Sequence, residues 1–346
     1  MAPFHDWRWS GVRWTLRAGL TAVVCLHPAQ TQAEGFGPFP VRNFNPLQQL
    51  VLNMPADRAA VLAPGTLDVR LELAETSAIY NETPPSGANA QVKFETLRNG
   101  LFLRYGVTSR LEVGVEIPVL YRWTGFMEGA IKAVERATTG LSPARSALSH
   151  VNYAYNITRS GQQIVDGTKG ALGFGDTMLQ AKYELFKETS SMPALSLRTA
   201  LKLPTGDEDE FFGSGSPDFG LGLAVEKALG GRWVLHGNLN GVFPTGRIAG
   251  LPLTPTITGI AAAEYLWSDN LSLTLQFDYY TTPFRHVGLE VFDKGVTEIA
   301  GGFSYHFAQH WLWQVYAIEN VDFITGGAAD FTVGVLFTYR FQRSSP

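Results

Sequence analysis

The chain has 346 residues, enough for a large hydrophobic core and for one to three domains. Only 17% of the residues are charged, whereas 45% are hydrophobic and 12% are aromatic, which excludes a wholly disordered chain and a long acidic or basic tail. The formal net charge of −4 argues against a nucleic-acid partner, because binding to phosphates needs a basic surface. No window holds the roughly 20 uninterrupted apolar residues of a membrane-spanning helix. Contact with a membrane would therefore need another kind of structure.

The N-terminal residues 1–33 have the features of a secretory signal peptide. Three arginines precede an apolar core at residues 18–26, and Thr31 and Ala33 supply the small residues of a cleavage site. We therefore predict an exported protein that is cleaved after Ala33 and whose mature chain has no cysteine, because Cys25 is removed. The alternative is a cytosolic protein with an amphipathic N-terminus.

From Leu67 onward the dominant period of the sequence is two residues. Apolar residues occupy the odd positions from Leu67 to Leu73 and charged residues occupy most of the even ones, as in a strand with one apolar face. The alternation changes face between Phe94 and Leu97, which predicts a β-bulge there. Strands are predicted on this basis at residues 67–73, 92–105, 111–121, 179–185, 195–203, 219–225, 233–243, 257–267, 271–279, 299–307, 311–317 and 331–341.

The connections between these strands alternate strictly between short and long. Short links lie at residues 106–110, 187–192, 229–231, 268–270 and 308–310, and long links at 77–90, 123–174, 204–217, 244–254, 283–295 and 324–330. Twelve strands with this alternation predict an all-β fold, a transmembrane antiparallel up-and-down β-barrel at residues 66–341, in the outer membrane of a Gram-negative bacterium. Residues 150–158 are interpreted as one arm of a hairpin within a loop. If they are a wall strand with a partner near residues 162–168, the barrel has fourteen strands.

Aromatic residues gather near both ends of the predicted strands, as in the two aromatic girdles of a membrane barrel. The alternative is that they form the core of a soluble β-protein. The girdle near the short turns comprises Trp233, Trp267, Trp311, Trp313, Tyr105, Phe186 and Phe307, and the girdle near the long loops comprises Tyr121, Trp123, Phe243, Tyr279, Tyr280, Phe323 and Phe331.

The charged and amide positions of the strands are predicted to line the lumen, since the apolar positions face hydrocarbon. Both signs of charge are interleaved, which predicts a paired, hydrogen-bonded interior with limited selectivity or little open bore. For each residue the alternative is that its side chain only pairs with neighbouring polar or charged groups and has no further role. The candidates are Asp68, Arg70, Glu72, Glu112, Glu116, Lys182, Glu184, Arg198, Lys202, Glu226, His236, Asn238, Asn240, Glu264, Asp278, Glu298, His306 and Arg340.

Residues 34–65 precede the first strand and are rich in Pro, Asn and Gln. This segment is long enough to fold back into the lumen as a plug, or to remain a periplasmic leader that packs under the barrel mouth. A short helix starting at Pro55 and reaching Leu62 is part of the plug hypothesis. The plug candidates are Arg42, Asn43, Asn45, Pro46 and Leu47.

The longest loop, residues 124–174, is predicted to contain a short amphipathic helix. Apolar residues recur at helical spacing from Phe126 to Ala137, and Glu128 precedes Lys132 by four residues. Three positions are open to this helix: over the pore, at the lipopolysaccharide interface, or with its apolar stripe against the barrel rim.

Catalysis has little support in the sequence. Ser304 and His306 project to the same side of one strand, but no nucleophile elbow accompanies them. The acidic run at residues 207–210 lacks the spaced ligands and the glycine of a calcium loop, and we interpret it as a solvated loop tip. We therefore predict no enzyme activity, no catalytic residue, no cofactor and no metal.

Several sequence blocks resemble one family, an uncharacterised proteobacterial outer-membrane β-barrel family with a domain of unknown function. They are GPFPVRNFNPL at residues 37–47, RYGVTSRLEVG at 104–114 and GFMEGAI at 125–131. Later blocks, GFGDT at 173–177, LPTGD at 203–207 and GSGSPD at 213–218, are also similar to channel-like outer-membrane proteins of aromatic-compound degradation pathways. The last strand resembles the terminal recognition signal of outer-membrane barrels, followed here by a tail at residues 342–346.

The resemblance implies a fold and a location and carries over no activity. By analogy of fold we expect a channel or transporter-like barrel for small molecules, with a structural or interaction barrel of blocked lumen and a lipid hydrolase as the other two classes. The expected partners are outer-membrane lipid and lipopolysaccharide, the barrel-assembly machinery, and a small-molecule solute that the sequence does not identify.

Overall fold

A computed structural model describes residues 35–321 and 329–342 of the protein. The predicted signal peptide with its cleavage site, the girdle residue Phe323 and the tail beyond Gln342 lie outside the described residues.

Twelve long strands form one closed antiparallel barrel, in which each strand pairs with its neighbours in the chain and β1 closes the sheet on β17. Between the described residues 35 and 342 the strands are β1 (Leu67–Glu82), β2 (Ala88–Gly106), β3 (Leu111–Trp123), β4 (Ala154–Arg159), β5 (Gln162–Asp166), β6 (Leu172–Phe174), β7 (Thr177–Phe186), β8 (Ala194–Leu203), β9 (Asp218–Leu229), β10 (Trp233–Pro244), β11 (Arg247–Ile248), β12 (Leu251–Pro252), β13 (Thr256–Leu266), β14 (Leu271–Tyr280), β15 (Val296–Ala308), β16 (Trp311–Asn320) and β17 (Phe331–Phe341). The wall consists of β1–β3, β7–β10 and β13–β17, so the prediction of twelve wall strands is confirmed.

The five remaining strands lie in the long loops. β4 and β5 form a hairpin that pairs with the start of β2, so residues 154–166 add no strand to the wall and the fourteen-strand alternative is wrong. β6 pairs with the end of β3, and β11 and β12 form a separate two-stranded hairpin. Three short helices accompany them, α1 (Glu128–Thr138), α2 (Pro143–Ala147) and α3 (Glu290–Asp293). No helix among the described residues is both long and apolar enough to cross a membrane.

The alternation of side chains holds through every wall strand, with even residues inside and odd residues outside. Trp267 is 62% exposed on the outer surface, and the outer girdle residue Tyr279 is 50% exposed. Tyr280 departs from the prediction, because its even position turns it into the lumen, where it is buried. An apolar outer surface over a closed hydrogen-bonded sheet is the arrangement that a hydrocarbon environment requires.

The predicted β-bulge in β2 is wrong. β1 and β2 keep one continuous register from the Glu82–Ala90 pair to the Leu67–Tyr105 pair. Phe94 therefore faces inward in phase with Arg98 and the rest of the strand. It is an apolar residue on the inner face because it packs there against the rings of Tyr153 and Tyr155, which come from the long loop.

The long loop at residues 124–174 begins against the outer face of β2. The backbone N–H groups of Phe126 and Met127 donate to the Glu95 carboxylate, which lies on that outer face. Helix α1 follows, and its Glu128 pairs with Lys132 at 2.8 Å. No residue of this helix is buried, and Val134 on its apolar stripe is 63% exposed. Of the residues before the helix, Phe126 is 70% exposed and Met127 is buried.

At the long-loop end, apolar side chains close the mouth of the barrel. Leu47, Leu50 and Met54 of the N-terminal segment are buried there in one cluster. The cluster also contains Ile157 and Val165 from the β4–β5 hairpin, Ile248 and Leu251 from the β11–β12 hairpin, and Phe284, Leu289 and Phe292 from the loop before β15. We call this cluster the apolar cap.

Candidate functional site

The candidate site is the lumen, and residues 35–62, here called the lumen segment, run through it. Most of the segment is buried, and its backbone bonds to inward-facing side chains from opposite sides of the wall. Such bonds satisfy peptide groups that would otherwise be buried without partners. The charged residues of the wall are thus positioned by strand alternation and used, in large part, to hold this segment.

The first part of the segment crosses β13 and β14. Glu264 accepts hydrogen bonds from the backbone N–H groups of Phe36 at 2.9 Å and Gly37 at 3.2 Å. Gln276 bonds both the N–H and the carbonyl of Phe39, at 3.0 and 3.1 Å. A side-chain amide that pairs with both the N–H and the C=O of one residue in this way fixes the position of the chain along the wall.

The next contact is a buried network of two arginines and two glutamates. Arg42 of the segment donates to Glu116 at 2.7 Å, and Arg98 of β2 bridges Glu116 and Glu72. The Tyr316 hydroxyl donates to Glu72 at 3.0 Å. The alternating charges leave each carboxylate with a cation, which offsets the cost of burying it.

The plug candidates after Arg42 form a compact turn. Asn43 donates to Gln48 at 2.7 Å, and the Asn45 side chain accepts from the N–H groups of Leu47 at 3.0 Å and of Gln48 at 3.1 Å, capping a short 3₁₀-helix at Gln48–Leu50. Pro46 lies within this turn. The turn places Leu47 in the apolar cap.

Beyond the turn, an ion cluster and two amides hold the segment. Lys202 donates to the carbonyl of Leu50 and lies 3.0 Å from Asp176 and 2.9 Å from Asp218. Arg198 donates to the carbonyl of Pro55 at 2.8 Å. Asn240 donates in the same way to the carbonyl of Met54 at 3.1 Å, and Asn238 to that of Asp57 at 3.0 Å.

Asp57 is the acidic anchor of the segment. It pairs with Arg104 at 3.1 Å and with Lys182 at 3.0 Å. Burial by itself would raise the pKa of Asp57, but these two cations outweigh it and hold the pKa below its ordinary value of 3.8. The Asp57 carboxylate is therefore ionised throughout the physiological range.

Arg58 is the basic anchor. It forms a forked pair with Glu226, at 3.1 Å from Nε and 2.7 Å from Nη2. His236 lies 3.6 Å from Glu226 and 3.1 Å from Glu264. Its imidazole therefore lies between two of the carboxylates that bond the segment. Glu112 completes this end of the segment by accepting from the N–H of Leu62 at 2.9 Å.

Asp278, Glu298 and Glu184 are among the predicted lumen residues that no described hydrogen bond joins to the segment. Asp278 accepts from Gln276 at 3.1 Å and lies opposite Glu298, which is buried and has one oxygen without a hydrogen-bond partner among the described residues. Glu184 lies at the short-turn end, 4.0 Å from the exposed Lys187.

A cavity of about 630 Å³ opens at the short-turn end, between the lumen segment and the wall. Asp68 and Arg340 form a forked pair on its side at 2.8 Å for both contacts. Arg70 lies on the same wall and donates to the Thr338 hydroxyl at 3.0 Å. His306 also lines the cavity and packs edge-on against the Phe36 ring, with 4.7 Å between the ring centres.

Ser304 and His306, the two residues considered for a hydrolase, make separate contacts. Ser304 is buried and its hydroxyl accepts from the Gln314 amide at 3.0 Å, while His306 contacts the lumen segment. In the part of the chain that the structure describes, no group of three or more His, Cys, Asp or Glu residues is arranged to hold a metal ion.

Sequence reasoning missed Asp57, Arg58, Arg98, Arg104 and Asp218. The two arginines of β2 follow Val92 at even intervals, so unbroken alternation would have placed them in the lumen, and the predicted bulge concealed them. Asp57 and Arg58 lie outside any periodic segment, and no local signal identifies their partners.

Solved structures of outer-membrane proteins align with the chain. An outer-membrane channel from Pseudomonas putida F1 aligns with a TM-score of 0.54 at 13% identity, covering 82% of this chain and 98% of that chain. The NanC porin aligns with a TM-score of 0.43 at 9% identity, covering 80% and 100%. The CymD monoaromatic hydrocarbon channel aligns with a TM-score of 0.36 at 11% identity, covering 82% and 90%.

No curated protein matches the sequence. A family model described as a protein of unknown function, DUF3187, matches residues 15–341. The match covers nearly the whole chain and all twelve wall strands, and the chain therefore belongs to the DUF3187 family.

Proposed function

We propose that the protein is an outer-membrane channel for small molecules whose lumen is closed in this structure by the lumen segment, residues 35–62. The observation that carries the proposal is the way in which the segment is held, through polar contacts to the wall along most of its length. Passage then requires the segment to move. The fold shared with an outer-membrane channel supports the same class of function.

The lengths of the loops predict the orientation of the barrel in the membrane. Bacterial outer-membrane barrels have short periplasmic turns and longer extracellular loops. On that rule the cavity beside Arg70 faces the periplasm and the apolar cap faces the exterior. We further propose an exported chain with a cleaved signal peptide, outer-membrane lipid and lipopolysaccharide around the apolar outer surface, and recognition of β17 by the barrel-assembly machinery.

A structural or interaction barrel with a permanently blocked lumen is the second candidate. The apolar cap favours it, because loop residues such as Phe284 and Leu289 are fully buried over the segment. Opening that end exposes apolar surface to water, which costs about 25 cal/mol per Å².

Conductance in planar lipid bilayers distinguishes the two. The double variant Asp57→Asn with Arg58→Gln removes both anchors from an otherwise complete chain, and a deletion of residues 35–65 removes the whole segment. A channel shows larger or more frequent conductance steps, together with faster solute uptake into vesicles, in both variants. The matched control is Arg232→Gln, an exposed turn residue whose one side-chain hydrogen bond to a described residue goes to the Tyr265 hydroxyl at 3.3 Å. If every variant conducts as little as the unmodified protein, the blocked structural barrel is the correct function.

A further inference from the structure

We propose that the cavity at the short-turn end binds the carboxylate of a small organic acid, with Arg70 as the binding residue. The cavity lies between the start and end of the lumen segment and the strands β1–β3, β7 and β15–β17. The inference goes beyond passage through the lumen, since a barrel that never conducts would still bind such a ligand at this mouth.

The other guanidinium groups around the cavity already have carboxylate partners. Arg340 forms its forked pair with Asp68, at 2.8 Å for both contacts. Arg104 pairs with Glu112 and Asp57, and Arg58 with Glu226. These arginines are committed to holding the wall and the segment.

Arg70 differs from them. Its one hydrogen bond goes from Nε to the neutral Thr338 hydroxyl at 3.0 Å, and it forms no ion pair with any residue that the structure describes. A guanidinium has five N–H donors in a rigid fork, so most of the donors of Arg70 remain for a ligand. The side chain is half-buried, and a partly desolvated guanidinium whose remaining donors bond no carboxylate among the described residues favours an anion. The flat fork matches a carboxylate, which it binds through two parallel hydrogen bonds.

The remaining walls carry both acidic and apolar side chains. The acidic ones each lie within ion-pair distance of a cation, and they are Asp57, Asp68, Glu112 and Glu184. The apolar ones favour an organic anion. Apolar side chains of Phe36, Val61, Leu62 and Leu312 line the same cavity. Its volume of about 630 Å³ lies in the range typical of small-molecule sites. A ligand with one carboxylate and a compact apolar body satisfies Arg70 and covers these walls, whereas a hydrated inorganic anion covers none of them.

Isothermal titration calorimetry on the complete protein in non-ionic detergent tests the site, with benzoate as the probe and benzyl alcohol as its uncharged counterpart. We expect benzoate to bind at least about tenfold more tightly than benzyl alcohol, because hydrogen bonds to charged groups are the stronger class. Arg70→Gln should weaken benzoate binding by at least about tenfold, and Arg70→Lys should restore part of it, since lysine keeps the charge and loses the fork. The control Arg110→Gln removes an exposed arginine from a turn at the same end and should leave binding unchanged.

Four results would overturn the proposal: no benzoate binding, equal binding of benzoate and benzyl alcohol, tighter binding of inorganic phosphate than of benzoate, or unchanged binding in Arg70→Gln. The first three use the unmodified protein, so a folding defect in the variant leaves the test intact. Binding and conductance are separate measurements, so failure of this site leaves the channel proposal standing, and an electrically silent barrel that binds benzoate contradicts only the channel.

Discussion

The forked pair between Arg58 and Glu226 gives the most direct test of how the lumen segment is held. Arg58→Gln removes the charge and one arm of the fork, whose two contacts measure 3.1 and 2.7 Å. Hydrogen bonds to charged groups contribute about 1.5–3 kcal/mol each. Glu226 keeps His236 at 3.6 Å as a second partner, so we expect a net loss of about 2 kcal/mol, or roughly thirtyfold in the docking equilibrium.

Hydrogen exchange followed by mass spectrometry measures that equilibrium in detergent. Peptides that cover residues 52–64 should exchange roughly thirtyfold faster in Arg58→Gln, because local opening rather than global unfolding exposes them. Peptides from β9 and β10 should keep their protection. Arg58→Lys, which retains the charge without the fork, should fall between the two, and Arg232→Gln should match the unmodified protein.

Two results would refute the reasoning. Unchanged exchange in the segment would mean that the pair contributes nothing to docking. Equal acceleration in β9 and β10 would mean that the segment and the wall open as one unit, so that the segment is part of the barrel core and does not move by itself.

Three further predictions concern other parts of the molecule. Asp57→Asn should increase segment exchange at every pH above the ordinary Asp pKa of 3.8. The unmodified protein should keep its protection from neutral pH to about pH 5, because the lowered pKa of Asp57 means that its contribution is complete above 3.8 and is lost only on stronger acidification. Gly334→Ala should lower thermal stability by about 1–3 kcal/mol, since a Cβ there lies 2.0 Å from the ring of Tyr316, while Gly259→Ala, with open space around it, should have little effect on the melting temperature. Arg122→Gln should make the β4–β5 hairpin more sensitive to limited proteolysis, because the Arg122 guanidinium lies 4.6 and 4.7 Å from two aromatic ring centres, one in β4 and one in the loop before β9.

The wall was predictable because one physical rule acts on every strand. Hydrocarbon outside and polar groups inside impose a period of two, and this rule locates all twelve wall strands from the order of residues in the sequence. The rule gives wrong predictions where the lumen is not polar. At the long-loop end the inner face of the wall is partly apolar: Phe94 belongs to the apolar cap, and Tyr280 is buried beside Val296. A prediction that assumes a polar lumen therefore assigns Phe94 to a bulge and Tyr280 to the outer girdle.

The conformation of the lumen segment was not predictable from local sequence. The expected helix at residues 55–62 does not form, and the chain there is irregular. Its hydrogen bonds go instead to distant wall residues: Asp57 N–H to Asn238 at 3.1 Å and Leu62 N–H to Glu112 at 2.9 Å. The wall thus supplies the bonds that a helix would have supplied to itself, and no local propensity reports partners so far away in the chain.

The two ends of the barrel are closed by different forces, and this difference bears on movement. Along the lumen, water can replace each segment–wall hydrogen bond, at a free-energy cost of about 0.5–1.5 kcal/mol for a neutral bond and about 1.5–3 kcal/mol for a bond to a charged group. Polar docking can therefore be undone one contact at a time. The apolar cap has no such substitute, because water cannot replace the contacts of Phe284 or Leu47. When the contacts of Asp57 and Arg58 with the wall break, the segment therefore loosens first at the short-turn end, where the cavity already admits solvent. It remains attached by Leu47 and Leu50 in the apolar cap. If the protein is a channel, the step that limits its opening is the separation of the cap, and variants of the two anchors should change the frequency of opening events more than the size of the open pore.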